Sequence, residues 1–441
     1  MTTPDRTPTA RADLLAAATA AGLWTPAQAA RAEAAVPPSA RSAGAAAEAL
    51  VAAGLLTRFQ ADRLLAGRAD GFVLDGYVIQ EQLGKGAAGR VYKAVHRAMN
   101  RTVAVKLLRA ELTHTTAARG LFDREARAAA RLNHPNVVTT LDANRVGDRC
   151  YLVREYVDGP TAAALVADRG PLPVAEACEL IRQAAVGLGH AHEQGLAHRD
   201  LKPANLLVAR PSKSLPGCAV KVADFGVGRL AAPAGDPDYA PPEQADRPDA
   251  ADYRADLYAL GGVFYFLLTG RPPFPGGTAE DKRRRHRSVA PEPVGRVRPD
   301  IPPAVAEVVH RLLAKDPNSR FQSAAGVAAR VDGLAAGAVE VGDDGEFIAF
   351  DLPTVVPAMY SASGGGLTEV YRPRAGAAAD TCPWGQITAD AARPTVADPT
   401  PVPEEAEPAA RRAPVKLLAA AGGLLLAGGV GLGYALVRVL G

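Results

Sequence analysis

The stretch Leu83–Tyr92, LGKGAAGRVY, constrains the architecture more than any other, because Gly84, Gly86 and Gly89 stand between two strand-like runs, YVIQEQL and VYKAV. A glycine fingerprint that opens a helix serves dinucleotides, whereas glycines between two strands fold as a hairpin whose backbone N–H groups close on nucleotide phosphates. The next strand-like run, VAVK, ends in Lys106. From there its ammonium can reach phosphate oxygens lying under the glycine hairpin.

A cation in that place needs an anion to hold it. The helical stretch that follows, FDREARAAARLNHPNVV, supplies Glu125, so a Lys106–Glu125 ion pair is expected. The loop HRDLKPANLL then carries Asp200, Lys202 and Asn205. Asp200 suits the orientation and deprotonation of an attacking hydroxyl, Lys202 the neutralising of a terminal phosphate, and Asn205 a hard cation. Asp224 follows 24 residues after Asp200, in VADFG, as a second oxygen ligand of the kind Mg²⁺ takes.

In this order and context the motifs resemble those of the eukaryotic-like Ser/Thr protein kinases, specifically the bacterial membrane-anchored kind, over about residues 77–334. The resemblance implies an α+β, two-lobed kinase fold. A small β-rich lobe would run from Tyr77 to about Val157, with ATP and Mg²⁺ in the cleft before a larger helical lobe. It also implies transfer of the γ-phosphoryl group to Ser or Thr hydroxyls of substrate proteins. Gly84, Gly86, Gly89, Val91, Lys106, Glu155 and Val157 would contact the nucleotide, the last two at the hinge beside adenine. Asp200, Lys202, Lys106 and Glu125 would be the catalytic set, and Asn205 and Asp224 the metal ligands. Asp256 would brace the catalytic loop, and Glu243 would pair with Arg320.

Three positions depart from that pattern. Arg154 stands where the family carries a medium-sized apolar residue behind adenine, so its guanidinium either competes with Lys106 for Glu125 or bends to solvent or another acidic neighbour. The segment DFGVGRLAAPAGDPDYAPPE holds no Ser or Thr: Asp236 replaces the usual threonine and Pro241 the usual alanine. With no hydroxyl to phosphorylate, Asp236 or Asp238 becomes a fixed anionic partner for Arg199 or Lys202. The altered segment also allows a reading of a different class, a pseudokinase serving as a nucleotide-binding membrane scaffold. Lys106, Asp200, Asn205 and Asp224 are all present, which favours the enzyme.

Around this domain the chain changes character. AAGLWTPAQAAR at 20–31 returns as AAGLLTRFQADR at 52–63, which predicts a small helical repeat module over 1–70, each half stopping at glycine and restarting at a capping threonine. Residues 335–413 are rich in Gly, Pro, Ala and acidic residues without helical or strand periodicity, as expected of a disordered linker. Leu417–Val437 then runs 21 residues without a charge, the length of a transmembrane helix. Arg411, Arg412 and Lys416 precede it and Arg438 follows, an asymmetry that places the kinase domain on the cytoplasmic face of a bacterial cytoplasmic membrane. Gly429 and Gly433 make a small-xxx-small face of the kind that pairs helices into a homodimer.

Composition excludes other classes. Lys+Arg 50 against Asp+Glu 47 gives a net charge of +3, without the one-signed field of a nucleic-acid binder. Cys150, Cys178, Cys218 and Cys382 have neither metal-site nor disulfide-framework spacing and fit a reducing compartment. His134, His190, His192 and His310 are expected to be structural. The basic run Lys282–Arg287 reads first as a solvated helix face and second as a dock for acidic groups.

Overall fold

The computed structural model describes residues 7–147, 149–210, 219–226, 235–246 and 251–337. The expected linker beyond 337, the expected span 417–437, Cys218 and Cys382 lie outside the described residues. Among the described residues no helix is long and apolar enough to cross a membrane.

Four helices lead: α1 (Arg11–Ala20), α2 (Pro26–Ala35), α3 (Ala43–Ala52) and α4 (Arg58–Leu65). The two sequence copies fold alike. Gly22 and Gly54 each take φ +68°, a left-handed turn that side chains resist, and Thr25 and Thr57 each accept from the backbone N–H three residues on while Gln28 and Gln60 reach back.

Next comes a six-stranded antiparallel sheet in the order β1-β2-β3-β4-β6-β5. Its strands are β1 (Val73–Leu74), β2 (Tyr77–Lys85), β3 (Gly89–His96), β4 (Arg101–Leu108), β5 (Thr140–Val146) and β6 (Arg149–Glu155), with α5 (Thr116–Ala129) inserted between β4 and β5. Side chains alternate across the pleat. Tyr151 and Val153 join Val103, Val105 and Ile79 in one core, whereas Cys150 and Leu152 join Phe122 and Ala126 of α5 in another.

The N-terminal helices share a core with this sheet. Phe72 and Val78 are buried with Leu14, Leu50 and Leu64. At the register shift between Ile79 and Glu81 of β2, the Gln60 amide donates to the Ile79 carbonyl at 2.6 Å and the Thr57 hydroxyl to the Gln80 carbonyl. Residues of the second copy thus satisfy carbonyls that the β-bulge exposes, a contact the repeat alone does not announce.

The helical lobe comprises α6 (Ala162–Arg169), α7 (Val174–Glu193), the hairpin β7 (Leu206–Ala209) and β8 (Ala219–Val222), α8 (Pro242–Asp246), α9 (Arg254–Thr269), α10 (Ala279–Ser288), α11 (Val294–Val297), α12 (Pro303–Leu312) and α13 (Ala324–Gly337). Helix α9 is apolar on all sides, the pattern of a central helix, and buries Leu257, Tyr258, Leu260, Val263, Phe264 and Leu268. It stops at Gly270, which is left-handed at φ +75°.

Helix α10 carries the basic run, and one edge of it is not a solvated face. Lys282 pairs with Asp238 at 2.6 Å, and His286 is buried between the Tyr258 hydroxyl at 2.8 Å and the Asp238 carbonyl at 3.2 Å. Arg284 points outward, its side chain 67% exposed. Burial, with Lys315 nearby, lowers His286 to about 4, and burial beside His190 lowers His134 likewise to about 4. Unfolded, both bind protons near 6.5. Between those values the unfolded chain binds more protons, so folding stability is expected to fall as pH drops from 6.5 towards 4. Urea unfolding across that window is the check: a His134→Gln, His286→Gln double variant should show a flatter pH profile.

Candidate active site

The glycine hairpin closes through reciprocal backbone bonds, Gly86 N–H to Gly89 O at 2.8 Å and Gly89 N–H to Gly86 O at 3.3 Å. A Cβ at Gly89 would lie 2.0 Å from the Leu107 carbonyl oxygen, so β4 passes too close for any side chain there. A Cβ at Gly84 or Gly86 would meet nothing within 4 Å, and the lip of the hairpin stays open. Val91 pairs across the strands with Lys106, which puts both at the same level of the sheet.

Lys106 is buried, and its ammonium lies 2.6 Å from Oδ2 of Asp224. The expected ion pair with Glu125 is not the one formed. Glu125 is buried on α5, while Arg154, opposite Ala104 and two positions from Leu152 opposite Lys106, turns into the cleft and binds Oδ1 of Asp224. Of the alternatives for Arg154, the acidic neighbour is the outcome, and that neighbour is Asp224. Each carboxylate oxygen therefore faces its own cation, an arrangement that charge-assisted hydrogen bonds favour. Burial alone would raise the Asp224 carboxyl, but Lys106 and Arg154 together hold it well below the usual carboxylate range. Burial pushes Lys106 down despite Asp224, and Arg154 adds to that push.

The loop before β7 is held from behind. Asp256 of α9 accepts from the backbone N–H of His198 at 2.7 Å and of Arg199 at 2.8 Å, and bonds the His192 ring at 2.8 Å. Those bonds stabilise Arg199 at φ +66°, while Asp224 sits at φ +72°. Left-handed non-glycine residues at both places indicate a backbone held against its own preference. The His198 ring bridges the two segments, 2.7 Å from the Ala223 carbonyl.

On that loop Asp200, Lys202 and Asn205 come together. The Asn205 amide donates to the Asp200 carbonyl at 2.7 Å, and Lys202 reaches Asp200 at 3.0 Å. Lys202 also lies 3.3 Å from Asp236. Of the two fixed anions offered by sequence, Asp236 meets Lys202 and Asp238 meets Lys282. Burial raises the Asp200 carboxyl more than Lys202 lowers it, with Asp236 adding repulsion. Lys202 is held above its usual range because Asp200 and Asp236 outweigh the cost of burying it.

Glu155 and Val157, the expected hinge, end β6 and follow it. The Glu155 carboxylate accepts from Lys221 Nζ and from the Thr139 N–H, each at 2.8 Å, so its side chain ties the hinge to β8 and the β5 approach. In the helical lobe, Glu243 and Arg320 form a bidentate pair at 2.6 and 2.8 Å.

The comparisons with known proteins agree with this layout. Residues 77–330 match the protein kinase domain family. The chain is 39% identical over 266 residues to serine/threonine-protein kinase PknB of Mycolicibacterium smegmatis, covering 57% of this chain and 41% of that protein. It is 37% identical over 266 residues to PknF of Mycobacterium tuberculosis, covering 58% and 55%. It thus spans about half or less of these relatives' lengths. Among solved structures, the M. tuberculosis PknI kinase domain superposes with TM-score 0.51 at 31% identity, covering 60% of this chain and 96% of that one. The family match covers more than half of the chain, and the chain belongs to the protein kinase domain family.

Proposed function

We propose that this chain is an ATP- and Mg²⁺-dependent protein-serine/threonine kinase. The observation that carries the reading is the grouping of Asp200, Lys202 and Asn205 on one braced loop, bridged through His198 to the backbone at Ala223, the residue before Asp224, which in turn holds Lys106. Asp200 orients the acceptor hydroxyl and takes its proton; a raised carboxyl is a better base for that task. Lys202 stands beside Asp200 to balance charge on the group being transferred. Lys106 under the glycine lip holds nucleotide phosphates, and the backbone from Glu155 to Val157 faces adenine.

The donor set fits a small hard cation. Asp224 offers a carboxylate, and Asn205, with its amide nitrogen committed to Asp200, offers its side-chain oxygen. Two protein oxygen ligands leave such an ion to take its remaining ligands from phosphate and water. Bound there, Mg²⁺ supplies charge neutralisation at the phosphates.

The reading is tested by incubating the full chain with γ-labelled ATP and a basic protein, with and without Mg²⁺. Mg²⁺-dependent label on Ser and Thr supports it. Mg²⁺-dependent nucleotide binding without any transfer would favour a scaffold instead.

The uncharged run 417–437 and its preceding Arg411, Arg412 and Lys416 support a single membrane span with the kinase domain cytoplasmic. Deleting residues 414–441 is then expected to move the chain from the membrane pellet to the soluble fraction with ATP binding intact. Retention in the pellet after a high-salt wash contradicts the anchor.

A further inference from the structure

We propose that Arg154 is a latch on the divalent-cation site, an internal cation that occupies Asp224 until metal and nucleotide displace it. The proposal rests on the kinase reading, in which Asp224 is a metal ligand. It stands on three observations. Arg154 is only 6% exposed, and its described ion-pair partner is Asp224. The strand register puts it opposite Ala104, whose small side chain leaves its guanidinium a path along the face that also carries Lys106. And Asp224 has no free oxygen: Oδ1 meets Arg154 and Oδ2 meets Lys106.

The charge balance gives these contacts their consequence. One carboxylate already faces two buried cations, so a divalent cation arriving at Asp224 meets two positive charges. A bound phosphate draws Lys106 away, since phosphate oxygens are its natural partners beneath the glycine lip. Arg154 has no such exit built in. Its second contact, Nη2 to the Phe225 carbonyl, is long at 3.5 Å, so the guanidinium is held chiefly by the oxygen the metal needs. An apolar side chain at this place would leave that oxygen open. Arg154 is accordingly a positioning residue, setting how much metal is required without touching the transferred group.

The test measures ADP affinity of the full-length chain while MgCl₂ is titrated, by calorimetry, for wild type, Arg154→Met and Arg154→Lys. Arg154→Met is expected to lower the Mg²⁺ concentration at half-maximal effect by about tenfold or more, the scale of one buried charge-assisted hydrogen bond. Arg154→Lys, which keeps the charge without the planar fork, should fall between the two. A purely structural role would move the unfolding midpoint without moving the Mg²⁺ midpoint. If both variants bind ADP with the wild-type Mg²⁺ midpoint or a higher one, the latch is refuted while the kinase reading survives. If Arg154→Met does not fold, Arg154→Lys decides alone by the direction of its midpoint. ADP binding by none of the three proteins at any Mg²⁺ concentration overturns the kinase reading, and the latch with it.

Discussion

Asp224→Ala is expected to lower phosphoryl transfer about a thousandfold or more, because on the proposed kinase reading it removes the carboxylate that would hold the charge-neutralising cation. It should also destabilise the fold. Lys106 and Arg154 are both buried on one face of the sheet, and the Asp224 carboxylate is the described ion-pair partner of each. Removing one partner of a buried ion pair costs about 3–5 kcal/mol, since the charge left behind is neither solvated nor paired. Two measurements divide the effects: label transfer from ATP to a basic protein, and the urea midpoint. Arg154→Met in the Asp224→Ala background should restore part of the midpoint and none of the transfer. Near-normal transfer by Asp224→Ala would remove Asp224 from the metal site.

The second large effect is on stability alone. Arg320 is fully enclosed, its side chain 0% exposed, and besides Glu243 it donates to the carbonyls of Ala314 at 2.8 Å, Arg254 at 2.9 Å and Lys315 at 3.0 Å. Those carbonyls satisfy its hydrogens but not its charge. Lys315 is already lowered to about 8, by burial first and by Arg320 second, so the region carries excess positive charge once Glu243 is gone. Glu243→Ala should therefore cost about 3–5 kcal/mol. That loss is large against the stability of an ordinary domain, and chemical unfolding of the full chain would register it as a lower midpoint. Glu243→Gln keeps hydrogen-bond acceptors and should cost less. An unchanged midpoint for Glu243→Ala would show that the three carbonyls suffice.

The sequence was most legible where chemistry is packed into short motifs. The glycine hairpin, the loop from His198 to Asn205 and the DFG turn each announce themselves by residue type and spacing, and the resemblance those motifs carry implies a small β-rich lobe before a larger helical one. What stayed hidden depends on contacts between distant segments. Lys106 meets Asp224, which Arg154 from a third segment meets as well, and no local pattern encodes that three-way contact. An arginine between Val153 and the hinge was the only signal, and it showed an anomaly without naming its partner. The helical repeat was visible as a repeat, yet its docking on β2 was not. Gln60 completes the cap with Thr57 and also bonds the Ile79 carbonyl, a role that exists only once the sheet is in place. Likewise Lys282 and His286 sit four apart in a basic run and face inward because Asp238 and Tyr258 lie beneath that edge of the helix.

The central claim is that Asp200 serves transfer from ATP to a protein hydroxyl. Its most direct test compares the purified full chain with Asp200→Asn, each incubated with Mg²⁺, γ-labelled ATP and a generic basic protein. Asn replaces the carboxylate with a neutral group of the same shape, so binding and folding persist while the proton acceptor is lost. The account predicts label on Ser and Thr with the wild-type chain and a loss of about a hundredfold or more with Asp200→Asn. Equal label from both proteins, or label from neither, would contradict it.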